Sequence, residues 1–327
     1  MRGQELRIPT LTDVLKARQV VNKYLKPTPL IYSKRLSRLL DCDAYLKLEN
    51  LQPIRAFKVR GGVYYMSVMR DEAVKRGVIT ASTGNHAQSI AYAGALFGAE
   101  VRIVMPNGVS SNKIEAVREL GAEVIMHGSY FEEAREYAEK LADEKGYLYV
   151  HAINEPLLYQ GVATMHLEIA EELPDVDVVI NPIGGGSGAS GACIVYKSLN
   201  SEIKVFGVQA EGAPAFYHSW RSGSLFSTDG VKTAAEGLAT SQAYELPLKI
   251  LRGRLDDIIL VSDDEMRGAI RIIFQTTGQV AELSGAAATA AALKIREQLR
   301  GRKVVLMLTG GNIQQEQLAS ILAAHNA

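Results

Sequence analysis

The sequence predicts an α/β protein built on two open, twisted, mostly parallel sheets flanked by helices. Three observations carry that expectation. From Val101 onward, short β-branched runs alternate with helical patterns: VRIVM, EVIMHG, YLYVHA, VDVVINPI, IKVFGVQ, DIILVS and KVVLMLTGG. These runs are apolar throughout, as in parallel strands covered by helices on both faces. The chain has 327 residues, more than one hydrophobic core usually serves, so two units are expected.

The order of elements sets the division. A helix (TDVLKARQVVNKYL) and an extended piece (AYLKLEN) open the chain and need a sheet to join. From about Val78 to Val150 comes a series of its own: VITAS, GNHAQSIAYAGALFG, VRIVMP, SNKIEAVREL, EVIMHG, EEAREYAEKLADEKG and YLYV. A second series runs from VDVVINPI to the C-terminus. The expectation is a discontinuous large domain, residues 1–55 and 150–327, with residues 56–149 as an inserted small domain. The site would then lie between them at strand carboxyl ends, where open α/β sheets place ligands.

Composition narrows the partner. Lys+Arg and Asp+Glu both number 36, so the basic excess that draws nucleic acid or an anionic membrane is missing, and a small molecule is expected. Cys42 and Cys193 lie in no CxxC or Cys/His spacing and are expected as buried thiols of a reducing compartment. MRGQELRIPT has no apolar signal core, and no apolar run reaches the roughly 18 residues of a membrane span. A soluble, cytoplasmic protein without a membrane partner is expected.

Four segments carry chemistry. After VDVVINPI comes GGGSGASG, Gly184 to Gly191, leading into a helix expected from about Ala189 to Leu199. Consecutive glycines let backbone N–H groups converge on an anion at a helix N-terminus. No Lys or Arg occurs between Gly184 and Tyr196, and GxxxxGK[ST] is absent, so a nucleotide P-loop is disfavoured. A competing reading exists: Gly186, Gly188 and Gly191 spell G-x-G-x-x-G, and Glu211 follows the next strand, as in an NAD-binding oxidoreductase. A tight turn that needs glycine only for packing is the plainer alternative.

Ser82, Thr83, Gly84, Asn85 and His86 form a polar turn between VITA and a helix, an arrangement suited to a carboxylate, or else an ordinary hydroxyl cap. Thr309, Gly310, Gly311 and Asn312 end a buried strand, where Thr309 offers a hydroxyl that donates or accepts; as a lone signal this is a turn. In LENLQPIRAFKVRGG, Lys58 stands beside Phe57 between a strand and a helix. Partial desolvation would lower its pKa from about 10.4 and make it an amine nucleophile for a carbonyl; a snorkelling surface lysine is the ordinary alternative. A cofactor with both an aldehyde and a phosphate uses all four segments: pyridoxal 5'-phosphate.

At these residues the chain resembles the fold-type II pyridoxal-phosphate family, tryptophan synthase beta-like in fold, in its threonine/serine dehydratase and serine racemase branch. The likeness runs in family order through LKPTPL, LENLQP, FKVRGG, STGNHAQ, PIGGG, AEGLA and LTGGN. It implies that Lys58 carries the cofactor as a Schiff base beside Phe57. Asn85 then meets the ring hydroxyl, Gly184, Gly185, Gly186, Ser187 and Gly188 hold the phosphate, and Thr309 faces the pyridine nitrogen. Ser82 to His86 would hold the carboxylate of a small amino-acid substrate. The implied activity is a lyase converting L-threonine or L-serine to a 2-oxo acid and ammonia, with a homodimer or homotetramer as the assembly. Amino-acid racemisation, a hydroxyaspartate ammonia-lyase and a catalytically silent binder stay open beside it.

Several positions depart from the family. Arg55 stands where the run Thr-Gly-Ser-Phe-Lys has a small flexible residue, which opens the choice of substrate. Thr83 replaces the serine of racemases. Arg135 matches an arginine that helps close the small domain, although pairing with Glu132 or Glu139 at helical spacing explains it as well. Gln209 and Ala215 occupy positions of metal-binding carboxylates, so no metal is expected. No regulatory domain is expected beyond the LTGGN helix.

Overall fold

In chain order the strands are β1 (Leu30–Tyr32), β2 (Asp43–Leu48), β3 (Val78–Ala81), β4 (Val101–Met105), β5 (Glu123–Met126), β6 (Leu148–Tyr149), β7 (Val178–Pro182), β8 (Lys204–Ala210), β9 (Asp257–Val261) and β10 (Lys303–Leu308). They come from a computed structural model that describes residues 6–324. Residues 1–5, part of the stretch read for a leader, lie outside the described residues. Two sheets result, one ordered β1-β2-β10-β7-β8-β9 and the other β5-β4-β3-β6. Among the described residues only β1 runs antiparallel to its neighbour; the remaining pairs are parallel.

The parallel strands are the apolar runs of the sequence, and β3 and β7 are buried along their whole length. The opening extended piece joins the larger sheet: β2 pairs with β10 from Asp43↔Lys303 to Leu48↔Leu308, and β10 pairs in turn with β7. Three adjacent strands therefore end on one edge. Beyond β2 comes the lysine segment, beyond β10 comes Thr309, and beyond β7 comes the glycine loop. In the smaller sheet β3 ends in the same way at Ser82.

Helices fill the faces. Leu283–Lys294, sequence LSGAAATAAALK, is buried from Leu283 to Ala292, and its small side chains let it lie close on the sheet. The helix run expected after Lys58 is two helices, Val59–Val68 and Arg70–Arg76, parted at Met69. The helix of the glycine loop begins at Ser187, not Ala189, because Gly186 at φ 85 turns the chain into it without a Cβ to hinder the left-handed conformation. Cys42 and Cys193 are free and buried. Among the described residues no helix is long and apolar enough to cross a membrane.

Candidate active site

The lysine segment is stitched to the end of β10. Phe57 N–H donates to Thr309 O (3.1 Å), Ala56 bridges Gly310, Gly311 N–H donates to Arg55 O (2.9 Å), and Asn312 Nδ2 donates to Ile54 O (2.9 Å). Residues about 250 apart in sequence thus form one short ladder. Its geometry forces Arg55 to φ 54, a left-handed conformation that costs a non-glycine residue roughly 1 kcal/mol. The small residue usual in the resembling run would adopt it freely.

Lys58 lies at the start of helix Val59–Val68, and Ser89 Oγ fixes its carbonyl at 2.6 Å. Its Nζ sits 3.3 Å from Ser187 Oγ and 5.4 Å from the Phe57 ring centroid. The ordinary partner of a buried lysine, a carboxylate, is not bonded to it among the described residues. Desolvation accordingly pushes the amine down to about 8, into the range where a neutral, nucleophilic fraction exists at working pH.

The glycine loop presents N–H groups because its carbonyls are already engaged. Gly184 O accepts from Thr240 Oγ1 (3.5 Å), Gly185 O from Tyr159 OH (3.2 Å), Gly186 O from Ser190 N (2.9 Å), and Gly188 O is 3.0 Å from His166 Nε2. What remains is the N-terminus of helix Ser187–Leu199 with no side-chain cap, a site for an anion. Side chains are excluded by contact: a Cβ on Gly184 would lie 2.0 Å from Gly237 O, and one on Gly188 would lie 2.6 Å from Asn181 Oδ1. A phosphate monoester fits such a cradle, and an aldehyde fits the amine beside it.

Beyond β3, Ser82, Thr83, Gly84 and Asn85 are half-buried, and helix Asn85–Phe97 likewise begins without a side-chain cap. Ser82 Oγ accepts from Gly84 N (3.4 Å). The His86 side chain leaves this group. It is buried, and its Nε2 stands 3.2 Å from Thr80 Oγ1, whose own proton goes to Val150 O (2.7 Å). His86 Nε2 is therefore the donor. Burial, with Lys58 and His151 nearby, lowers its pKa to about 3, so the ring is neutral and brings no charge to a carboxylate.

Asn85 and Thr309 bring in a residue that sequence reasoning missed. Asn85 Nδ2 donates to Glu282 Oε1 (2.9 Å), while its Oδ1 accepts from Asn312 Nδ2 (2.7 Å). Ser284 Oγ also donates to Glu282 Oε1 (2.8 Å), and Thr309 Oγ1 reaches Ser284 O at 3.5 Å. The available signal was an acidic residue directly before the small-residue helix, in AELSGAA.

The remaining singled-out residues lie apart. Glu211, the acid of the dinucleotide reading, is 49% exposed and paired with Lys294 at 3.2 Å. Arg135 Nη1 pairs with Glu139 at 2.6 Å, one of the two partners expected. Gln209 is buried, its Oε1 taken by Tyr217 N (2.8 Å), and Ala215 is buried in helix Ala215–Ser222.

Comparison with known proteins agrees with this geometry. The family model described as "Pyridoxal-phosphate dependent enzyme" matches residues 21–310. The chain is 38% identical over 313 residues to L-threonine ammonia-lyase of Thermotoga maritima, covering 96% of this chain and 78% of that protein. It is 34% identical to L-threo-3-hydroxyaspartate ammonia-lyase of Saccharomyces cerevisiae, covering 97% of each. The structure of maize serine racemase superposes with a TM-score of 0.92 at 28% identity, covering 96% of this chain and 97% of that one. These matches overturn the dinucleotide reading.

Proposed function

The chain belongs to the pyridoxal-phosphate-dependent enzyme family, and from that premise we propose that it is an ammonia-lyase converting L-threonine or L-serine to the 2-oxo acid and ammonia. One observation carries the reading: an amine depressed to about 8 stands 3.3 Å from the first residue of an uncapped, glycine-lined helix N-terminus. Aldehyde and phosphate of a single cofactor are thereby served by neighbouring groups.

Bound there, pyridoxal phosphate supplies the electron sink that makes the substrate's α-hydrogen acidic. The rest falls to this chain's residues. Lys58 Nζ would hold the cofactor through its aldehyde and is the base placed to take the substrate's α-proton. Backbone N–H groups from Ser82 to His86 hold the substrate carboxylate at the start of helix Asn85–Phe97. Gly184, Gly185, Gly186, Ser187 and Gly188 would hold the phosphate, Phe57 would pack beside the cofactor, Asn85 would meet the ring hydroxyl, and Thr309 would offer the pyridine nitrogen a hydroxyl. Loss of the β-hydroxyl followed by uptake of one water leaves 2-oxo acid and ammonia, so no external oxidant is needed.

The same reading takes residues 56–149 as the small domain and residues 1–55 with 150–327 as the large one. In its support, β3 to β6 all lie between residues 78 and 149. Self-association into a homodimer or homotetramer belongs to it too. A second activity, amino-acid racemisation, is favoured by the half-buried Thr83 in the carboxylate turn and by the likeness to serine racemase.

The test is direct. L-threonine is expected to yield equimolar 2-oxobutanoate and ammonia, and borohydride is expected to fix the cofactor to the peptide containing Lys58. Ammonia release by Lys58→Ala, or a label elsewhere, overturns the reading.

A further inference from the structure

Glu282 precedes helix Leu283–Lys294 as its N-cap, and its backbone N–H is tied to Gly310 O at 3.0 Å. Three donors converge on its carboxyl. Asn85 Nδ2 (2.9 Å) and Ser284 Oγ (2.8 Å) reach Oε1, and Asn312 N (3.2 Å) reaches Oε2. The surroundings are shaped to admit them: a Cβ on Gly310 would lie 2.6 Å from Glu282 Oε1, and one on Gly237 would lie 2.6 Å from Ser284 Oγ. Burial raises the pKa of this carboxyl against the lowering by its three donors, with Glu236 adding a smaller rise. A partly buried carboxyl held this closely, and not assigned to any step above, needs a reason to be there.

The reason lies in what it does to Asn85. Asn85 Oδ1 accepts from Asn312 Nδ2 (2.7 Å) while Asn85 Nδ2 donates to Glu282. Turning that amide over would set its oxygen against the Glu282 carboxyl oxygen and its nitrogen against the Asn312 nitrogen, two contacts between like poles. One orientation survives. In it, the unspent polar hydrogen of Asn85 is the second N–H on Nδ2. We infer that Glu282 is a positioning residue that fixes the polarity of the Asn85 amide, so that Asn85 meets the bound cofactor as a hydrogen-bond donor. An oxygen facing a fixed donor is favoured in its ionised form. The clamp therefore biases the ring oxygen of the cofactor toward the anion. This rests on the reading of Asn85 as a contact of the ring hydroxyl.

The experiment compares Glu282→Gln, Asn85→Ala and the double variant, each prepared as apoprotein and titrated with pyridoxal 5'-phosphate. Visible absorbance at fixed pH is recorded together with the dissociation constant. A glutamine side chain can offer either pole, so Glu282→Gln is expected to reduce the share of the long-wavelength band and to weaken cofactor binding about tenfold, the equivalent of one charge-assisted hydrogen bond. In the Asn85→Ala background it is expected to add nothing further. Asn312→Ala, which opens the other side of the clamp, is expected to act in the same direction and serves if Glu282→Gln does not fold. If Asn85→Ala alters band and affinity but Glu282→Gln and Asn312→Ala alter neither, the clamp is wrong while the role of Asn85 stands. Equal effects of Glu282→Gln with and without Asn85 overturn it as well. If Asn85→Ala changes nothing, the reading of Asn85 falls first and the clamp with it.

Discussion

Arg60 and Glu168 form a two-pronged ion pair inside the protein, Nη1 to Oε1 at 2.7 Å and Nη2 to Oε2 at 2.8 Å. The same guanidinium holds Glu49 through Nε and Nη2, both at 2.8 Å, and Lys47 Nζ adds 2.7 Å to Glu168 Oε2. Arg60 lies one turn or less from Lys58 and ties the helix that follows Lys58 to the end of β2 and to helix Pro156–Glu172. A buried network of this kind stabilises little against an apolar core, but removing one member strands the others.

Arg60→Met is therefore expected to cost about 3–5 kcal/mol by leaving the Glu49 carboxylate buried without its cation, while Glu168 keeps Lys47. Urea unfolding of the apoprotein measures it. The pH dependence has a definite sign. Arg60 holds Glu49 below the ordinary carboxylate range despite burial, so the wild type keeps this stabilisation at neutral pH and loses it as pH falls through the depressed value. In Arg60→Met that acid-side loss is expected to shrink.

Lys58 is the reverse case, a group whose charged form is disfavoured on folding. Its pKa of about 8 against the ordinary 10.5 corresponds to roughly 3 kcal/mol. In the apoprotein the penalty is complete below about pH 8 and fades between there and 10.5. Lys58→Met is expected to raise apoprotein stability at pH 7 and to match the wild type at pH 11, while abolishing turnover and yellow colour. Equal stability of the two apoproteins at pH 7 contradicts the buried amine.

His86 and His166 are both buried and neutral, each lowered to about 3 by burial. The unfolded chain protonates them near 6.5, so stability is full above that value and falls as pH drops toward 3, with up to two protons taken up on unfolding. His166→Gln is expected to flatten the slope by about one proton. Denaturant midpoints between pH 4 and 7 check the outcome.

Arg55 at φ 54 is exposed, and its guanidinium makes no hydrogen bond or ion pair among the described residues. Arg55→Gly is expected to stabilise by up to about 1 kcal/mol through relief of the left-handed strain. If the guanidinium serves an acidic substrate, keto-acid release from L-threo-3-hydroxyaspartate falls relative to L-threonine in this variant. An unchanged ratio assigns Arg55 no part in selection.

Gly184→Ala places a methyl group 2.0 Å from Gly237 O. Main chain on both sides leaves nothing flexible to yield, so overpacking of about 1–3 kcal/mol is expected, with loss of retained cofactor. Dialysis followed by absorbance reads it.

Much of this was legible in the sequence because the signals were local. VRIVM is β4 in full, and the runs around β7 to β10 carry enough β-branched apolar residues to declare buried parallel strands. The lysine segment and the glycine loop stood out by residue type, each with a plainer alternative that only their combination outweighed. Glu282 did not, since its meaning depends on Asn85, 197 positions earlier. His86 misled for a similar reason: its place in the polar turn says nothing of Thr80, toward which its ring is drawn. The network of Lys47, Glu49, Arg60 and Glu168 was equally silent, since charged residues are buried only where partners converge, and convergence is a property of the fold.

The insertion of β10 between β2 and β7 sets an order of events during synthesis. Lys58 leaves the ribosome well before the ladder that seats it can form, since Thr309 to Asn312 follow about 250 residues later. Until they arrive, the sheet is split at its centre and the amine has no fixed setting. The setting of Lys58 is thus deferred until β10 and the residues after it have been made, and a product truncated before β10 keeps its lysine but lacks the ladder that seats it.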